Sequence, residues 1–268
     1  MVLQKLAPGW PWRMAVLTPL GVYSFVYPFG IGLLLFGWMP PEAGWVGGCL
    51  LAAQGMAMAA WCGLNYGAAR GLGAALIIAV AAWALEALGV TTGVPFGAYR
   101  YSAALGAMLG PVPAAIPFAW IATVGAAFFT ARGAVPPRRM RGALPVLLGA
   151  ALAMLQDAVL ETIATGVQGY WMWTPLGGPY YGVPWANFAT WFGAALILGA
   201  LLQGLLRPAP ARPLRYAALP PLLYAMSLLM FGLLNWSRGF VVPAALATVL
   251  LPFVLWRLRA CLSPRSAL

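Results

Sequence analysis

The chain has 268 residues, of which 63% are hydrophobic and only 7% charged, and it contains no histidine. A soluble domain of this size carries roughly a quarter charged residues, so a single aqueous core is excluded and lipid must solvate the apolar surface. The net charge of +11 does not point to nucleic acid, because the basic residues form short clusters between apolar runs, as in cytoplasmic loops.

The expected fold is all-α, a single integral-membrane domain over residues 1–268. Apolar windows of about 20 residues, the length that crosses the hydrocarbon core, fall at 14–37, 44–62, 72–90, 112–131, 143–164, 186–206, 216–235 and 239–256. The first run is long and no small-residue cleavage site follows it, so it is expected to stay as a span rather than leave as a signal peptide. Cys49, Cys62 and Cys261 make no CxxC pair and read as small apolar fillers, with no metal site or disulfide framework.

Charge sets the expected orientation. With the N-terminus inside, the inner segments hold Lys5, Arg13, Arg70, Arg132, Arg138, Arg139, Arg141, Arg207, Arg212, Arg215, Arg257, Arg259 and Arg265, and the outer segments only Arg100 and Arg238. Eight spans with both termini cytoplasmic satisfy the positive-inside rule, and seven would put the basic C-terminus outside. The expected location is the cytoplasmic (inner) membrane, multi-pass.

Taken in chain order, the acids then have addresses. Glu42 falls in a short outer loop (PPEAGW), where a solvated carboxylate needs no explanation. Glu86 lies near the outward end of the third span. A long outer loop follows, TTGVPFGAYRYSAALGAMLGPVPAAIP. The fifth span also runs outward and places Asp157 and Glu161 at a similar depth, before a second long loop, GVQGYWMWTPLGGPYYGVPWANF. Three of the four acids thus share one layer towards the outer leaflet.

Gly and Pro punctuate both loops, so neither continues as regular helix. Both are dense in aromatics: Phe96, Tyr99 and Tyr101, then Tyr170, Trp171, Trp173, Tyr180, Tyr181 and Trp185. Trp and Tyr favour the membrane interface in any case, but a belt should line both interfaces and the inner loops are almost free of aromatics. An internal echo is also present. Glu86 precedes Pro113 by 27 residues and Asp157 precedes Pro184 by 27; each Pro follows Val and is followed seven residues later by Trp120 or Trp191. The echo suggests a duplicated two-helix unit, 72–131 and 143–206.

Intramembrane acids default to function, although bonds between helices also account for single cases. Metal-dependent prenyl transfer needs a denser run of acids than DAVLE offers, and di-iron chemistry on histidines is excluded by composition. Nucleophilic hydrolysis lacks a base of the usual type. Two chemistries survive: proton-coupled transport and acid catalysis on an apolar substrate. In hydrocarbon, desolvation disfavours charge, and a second carboxylate nearby disfavours a second negative charge, so a pair of carboxyl groups can share a proton. Such a pair can protonate an alkene, aromatic faces can stabilise the cation, and the partner carboxylate can orient a water and take its proton.

The stretch EALGVTTGVPFGAYRYSAALG, the following GPVPAAIPFAW, and the later GYWMW and GGPYYGVPWANFATWF together resemble the integral-membrane carotenoid 1′,2′-hydratases and the related bisanhydrobacterioruberin hydratases, over about residues 80–195. The resemblance implies hydration of the acyclic ψ-end of a carotenoid such as γ-carotene or lycopene, giving a tertiary alcohol without a cofactor. It places the family acids on Glu86, Asp157 and Glu161. Where the family pattern has Asp-Pro, this chain has Glu161-Thr162, which keeps the carboxylate and changes its backbone.

Asp157 is the expected proton donor, with Glu86 and Glu161 positioning water or tuning its proton. Tyr99, Tyr101, Trp171, Trp173, Tyr180, Tyr181, Trp185 and Trp191 are candidate cation stabilisers or polyene contacts, Asn187 a ligand of water or carboxylate, and Arg100 either a partner of an acid or an ordinary interfacial cation. Expected partners are a carotenoid drawn from the bilayer, water, membrane lipids and other enzymes of the pathway, with no nucleic acid. Two alternatives use the same residues, a proton-coupled lipid or pigment transporter and a non-catalytic carotenoid-binding protein. A transporter needs a polar path to both leaflets, and the acids occupy one.

Overall fold

The computed structural model describes residues 10–140, 142–174, 178–207 and 214–263. Among these described residues, eight α-helices follow the eight apolar runs: α1 Trp10–Leu35, α2 Trp45–Tyr66, α3 Ala68–Thr92, α4 Ile116–Ala134, α5 Leu144–Gly166, α6 Trp185–Leu205, α7 Leu219–Arg238 and α8 Val241–Leu262. Four short strands belong to the two long loops: β1 Tyr99–Tyr101, β2 Met108–Leu109, β3 Val112–Pro113 and β4 Trp171–Trp173.

Seven of these helices are long and apolar enough to cross a membrane; α4 is outside that set. Its position explains its composition. It packs against α2, α3, α5, α6, α7 and α8, and its run from Trp120 to Ala131 is buried throughout. A helix wrapped in protein does not need a lipid-compatible surface, so it can carry Thr123, Thr130 and Gly125 inward. At the other extreme α1 lies on the perimeter against α2 and α7, with Phe25 and Phe29 turned outward.

Close approach of α2 to α4 depends on Gly55. A Cβ there would stand 2.5 Å from the Phe118 carbonyl oxygen and 2.7 Å from its Cα, so the two backbones meet where a side chain would be. α5 and α7 are joined differently, by a polar seam. Thr162 Oγ1 donates to Asn235 Oδ1 (2.5 Å), Asn235 Nδ2 to the Val159 carbonyl (2.7 Å), Tyr224 Oη to the Leu152 carbonyl (2.7 Å) and Gln156 Nε2 to Ser227 Oγ (3.0 Å). With no water in the hydrocarbon, such bonds and small-residue contacts hold helices together.

The two ends of the bundle differ. Arg13, Arg70, Arg132, Arg138, Arg139, Arg207, Arg215, Arg257 and Arg259 gather at one end, while Arg100 and Arg238 lie at the other; Lys5, Arg141, Arg212 and Arg265 lie outside the described residues. Aromatics occur at both ends. Trp10, Tyr216 and Trp256 are exposed at the basic end, so aromatics stand at both interfaces, as an interfacial belt requires, although the inner loops carry few of them.

Expected and observed starts differ by four residues at α1, α3 and α4, and α4 is the one that starts later than expected by that much. Val112–Pro113, read as its first residues, pairs instead with Met108–Leu109 in a small hairpin turned by Gly110 at φ 63°, and the helix begins at Ile116.

Replacing Gly55 by Ala is expected to force the α2 and α4 backbones apart and cost about 1–3 kcal/mol, read as a lower midpoint of unfolding in mixed detergent micelles. Gly73→Ala, where the added methyl meets nothing within 4 Å, is the matched control and should leave the midpoint unchanged or raised.

Candidate active site

Glu86, Asp157 and Glu161 all line one cavity of about 290 Å³, and all three are buried. The cavity is enclosed by α1, α2, α4, α5 and α7, by Asn187 and Trp191 of α6, and at the aromatic end by the two long loops. Its wall is apolar apart from the three acids and a few neutral polar groups.

The loops reach the acids through one ribbon. β1 and β4 pair antiparallel, Tyr99 opposite Trp173, Arg100 opposite Met172 and Tyr101 opposite Trp171. Successive side chains of a strand point to opposite faces. Four aromatics therefore turn inward to line the cavity, and Arg100 and Met172 turn outward, both exposed. Tyr99 and Trp173 rings lie 5.0 Å apart and Tyr101 and Trp171 6.0 Å apart.

Each inward aromatic donates a hydrogen bond to a carboxylate. Glu86 accepts from Tyr99 Oη and Tyr101 Oη at its Oε2, the latter at 2.8 Å, and from Trp120 Nε1 at its Oε1 (2.9 Å). Glu161 accepts from Trp171 Nε1 at both oxygens (3.2 and 3.0 Å) and from Trp173 Nε1 (3.1 Å). An indole N–H only donates, so Trp120, Trp171 and Trp173 have no means to take a proton from a carboxyl group. Burial, and after it the neighbouring Glu86, push the Tyr99 and Tyr101 phenols above their ordinary range, which keeps them protonated as donors. Glu86 and Glu161 are thus surrounded as hydrogen-bond acceptors.

Asp157 differs. Asn187 Nδ2 donates to its Oδ2 at 2.7 Å, and among the described residues this is its one hydrogen bond. Oδ1 belongs to a cavity-lining group without a hydrogen bond. Asp157 and Glu161, four residues apart on α5, share a helical face.

Trp191 and Trp120, the tryptophans of the sequence echo, stack at 3.8 Å between ring centroids and 4° between planes on the cavity wall. The structure thus brings together Glu86, Asp157, Glu161, Tyr99, Tyr101, Trp171, Trp173, Asn187 and Trp191.

Four expected contacts lie elsewhere. Arg100 makes no ion pair among the described residues, because the strand alternation that aims Tyr99 and Tyr101 inward sends it out. Tyr180 is buried but spends its hydroxyl on the Ala158 carbonyl (3.0 Å) and packs on Phe188. Tyr181 occupies a tight turn at φ 50°, bounded by the Gly178–Gly182 and Tyr180–Val183 bridges, and turns its ring onto Phe240. Trp185, the first residue of α6, is 61% exposed.

Other wall residues were not legible as such. Trp120 is noticeable only through the echo, and nothing marks it as a donor to Glu86. Tyr23 and Tyr27 of α1, and Gln156 and Ser227 of the α5–α7 seam, also line the cavity. Their one sequence signal is polarity in the middle of an apolar run.

Similarity to known proteins agrees with this site. The sequence profile described as carotenoid biosynthesis protein matches residues 46–254, most of the chain and every acid of the site. Bisanhydrobacterioruberin hydratase of Haloarcula japonica is 30% identical over 190 residues, covering 70% of this chain and 64% of that protein. The chain therefore spans less than two thirds of the length of the curated relative it matches. No solved structure matches. The chain belongs to the carotenoid biosynthesis protein family, as a multi-pass membrane protein.

Removing one donor to a buried carboxylate is expected to cost about 1.5–3 kcal/mol. Tyr101→Phe should therefore lower the unfolding midpoint in mixed micelles clearly, whereas Arg100→Gln, one residue away and facing out, should shift it by less than about 0.5 kcal/mol. Equal losses from the two variants would show that the ribbon's inward face does not carry the difference.

Proposed function

We propose that this member of the carotenoid biosynthesis family adds water across the terminal C1′=C2′ double bond of an acyclic ψ-end group, of the γ-carotene or lycopene type, to give a tertiary alcohol. The observation that carries the reading is the asymmetry of the acids. Two are held as acceptors by donors alone, and the third, Asp157, presents an oxygen without a hydrogen bond to an apolar cavity.

In the proposed reaction Asp157 gives a proton to C2′. The alkene π electrons form the new C–H bond, and a tertiary cation remains at C1′. Trp191, Trp120, Tyr99 and Trp173 line the same space, and aromatic quadrupoles favour a cation. Glu86 and Glu161 add negative charge close by. Water then attacks C1′, and the proton it loses returns to the Asp157–Glu161 pair. The sum is one water added, no electron transferred and the acid pair restored. Protonating the less substituted carbon yields the more stable cation, which fixes the alcohol at C1′.

The same reading accounts for the apolar wall and for the perimeter placement of α1. A polyene arrives from lipid, and the cavity is bounded on one side by α1, which packs mainly against α2 and α7. With the basic end cytoplasmic, the chemistry sits towards the outer leaflet of the inner membrane. Support for the hydratase over a transporter comes from the position of the acids, all three at the aromatic end.

The reading is tested by pigment analysis in a host that makes lycopene or γ-carotene. Wild type is expected to yield a pigment heavier by one water, and Asp157→Asn at matched expression to lower its formation by about 10²–10⁴, the range of a general acid. Unchanged pigments with wild type would sink the hydration reading for both substrates. An equally active Asp157→Asn would move the donor role to Glu161 or Glu86.

A further inference from the structure

A second polar group lines the cavity apart from the carboxylates. Gln156 precedes Asp157 on α5, about 1.5 Å along the axis and about 100° around it, so it faces α7 while Asp157 faces Asn187 of α6. Its Nε2 donates to Ser227 Oγ at 3.0 Å, and its Oε1 is buried without a partner. Whichever way the amide is turned, one of its two ends bonds Ser227 and the other stays open. Tyr23, from α1, lines the same cavity, and its Oη is likewise buried without a partner. Gln156, Ser227 and Tyr23 are each more than nine-tenths buried.

Helix joining alone does not account for this. In the same α5–α7 seam Asn235 uses both ends of its amide and Tyr224 its hydroxyl. Those groups are satisfied, and none of them lines the cavity. Within the seam, the amide left with an unpaired atom is Gln156, which lines the cavity. An unmade bond on a buried polar atom costs about 1–3 kcal/mol, and an occupant bonding Gln156 and Tyr23 recovers it.

We infer that Gln156, Ser227 and Tyr23 form a neutral polar pole that binds an O–H group inside the cavity. The pole carries no formal charge, which selects an uncharged ligand. A tyrosine hydroxyl donates and accepts and an amide oxygen accepts, and an O–H matches both. Two sources have this chemistry, a water held for the reaction and the hydroxyl of an alcohol seated after it. The second source rests on the hydration reading above; the binding chemistry does not.

The test uses full-length protein in phosphatidylcholine nanodiscs, with lycopene and its tertiary 1-hydroxy derivative as probes. Binding is followed by quenching of tryptophan fluorescence, since Trp120, Trp171, Trp173 and Trp191 line the cavity. Wild type, Gln156→Leu and the seam control Thr162→Val are compared, with single-turnover hydration of lycopene measured alongside. If the pole seats the alcohol, Gln156→Leu raises the Kd of the alcohol about tenfold, the worth of roughly one hydrogen bond, and leaves lycopene within twofold. If it holds water, both affinities stay and the hydration rate falls about tenfold at unchanged lycopene Kd. Thr162→Val should do neither. The inference is overturned if Gln156→Leu weakens both probes equally, as a packing loss would, or leaves alcohol affinity and hydration rate both at wild-type values. Should wild type hydrate nothing, the hydration reading fails by itself, and loss or retention of alcohol preference still decides the pole.

Discussion

Three carboxylates kept in hydrocarbon set the terms for the rest of the molecule. Charge and unpaired polar atoms are expensive there, so each acid needs donors brought to it. The helices supply few: Trp120 for Glu86 and Asn187 for Asp157. The remainder come from outside the helices, from Tyr99, Tyr101, Trp171 and Trp173. Satisfying the acids and ordering the loops are consequently one event. Two three-residue strands, too short to stand alone in water, persist because their inward side chains are anchored on buried oxygens and their rings pack together. The ribbon is at once the cavity's roof and the acids' hydrogen-bond partner.

Much of the fold was legible because lipid imposes a length on every span. The eight runs and the eight helices agree to within four residues except at the end of α8, which runs six residues further, and the late start of α4 has a local cause in the turn at Gly110. The candidate acids were legible for a related reason: in a chain with four carboxylates, three at one depth stand out. The aromatic neighbours were legible only as a crowd. Period-two alternation over three residues leaves almost no trace in sequence, so Tyr99 and Arg100 looked equally available, and the structure separates them to opposite faces. Tyr180, Tyr181 and Trp185 belong to the same aromatic stretch yet serve packing or face outward. On α1, Tyr23 and Tyr27 read as ordinary members of an apolar run, since nothing local tells a helix which of its faces will close a cavity.

The structure also bears on how one polar layer yields unlike acids. Trp120 and Trp191 stack almost parallel, and the β1–β4 register centres on Arg100 and Met172, so the echoed tryptophans meet each other and so do the two long loops. The duplication proposed from the echo would place an axis along the membrane normal. A symmetric device would give two equivalent acids. Here Glu86 and Asp157 occupy the echoed positions with different partners, three donors against one, and Glu161 has no counterpart on α3, where the residue four beyond Glu86 is Val90.

That inequality is what acid–base work on an alkene requires. A group that must release a proton cannot be held by donors alone on both oxygens, and a group that must stabilise a cation benefits from being so held. Two identical sites would serve one of these tasks twice. In the proposed reaction, Asp157 with Asn187 as its single partner among the described residues and Glu161 one turn further along α5 divide the tasks on one cavity wall. The tryptophans fit that proposal in physical terms: the N–H edges of Trp120, Trp171 and Trp173 fix the carboxylates, while Trp120 and Trp191, stacked on each other, line the same cavity. Edge and face of the indole carry opposite signs of partial charge, which lets one residue type hold an anion at its rim and border a cation with its plane.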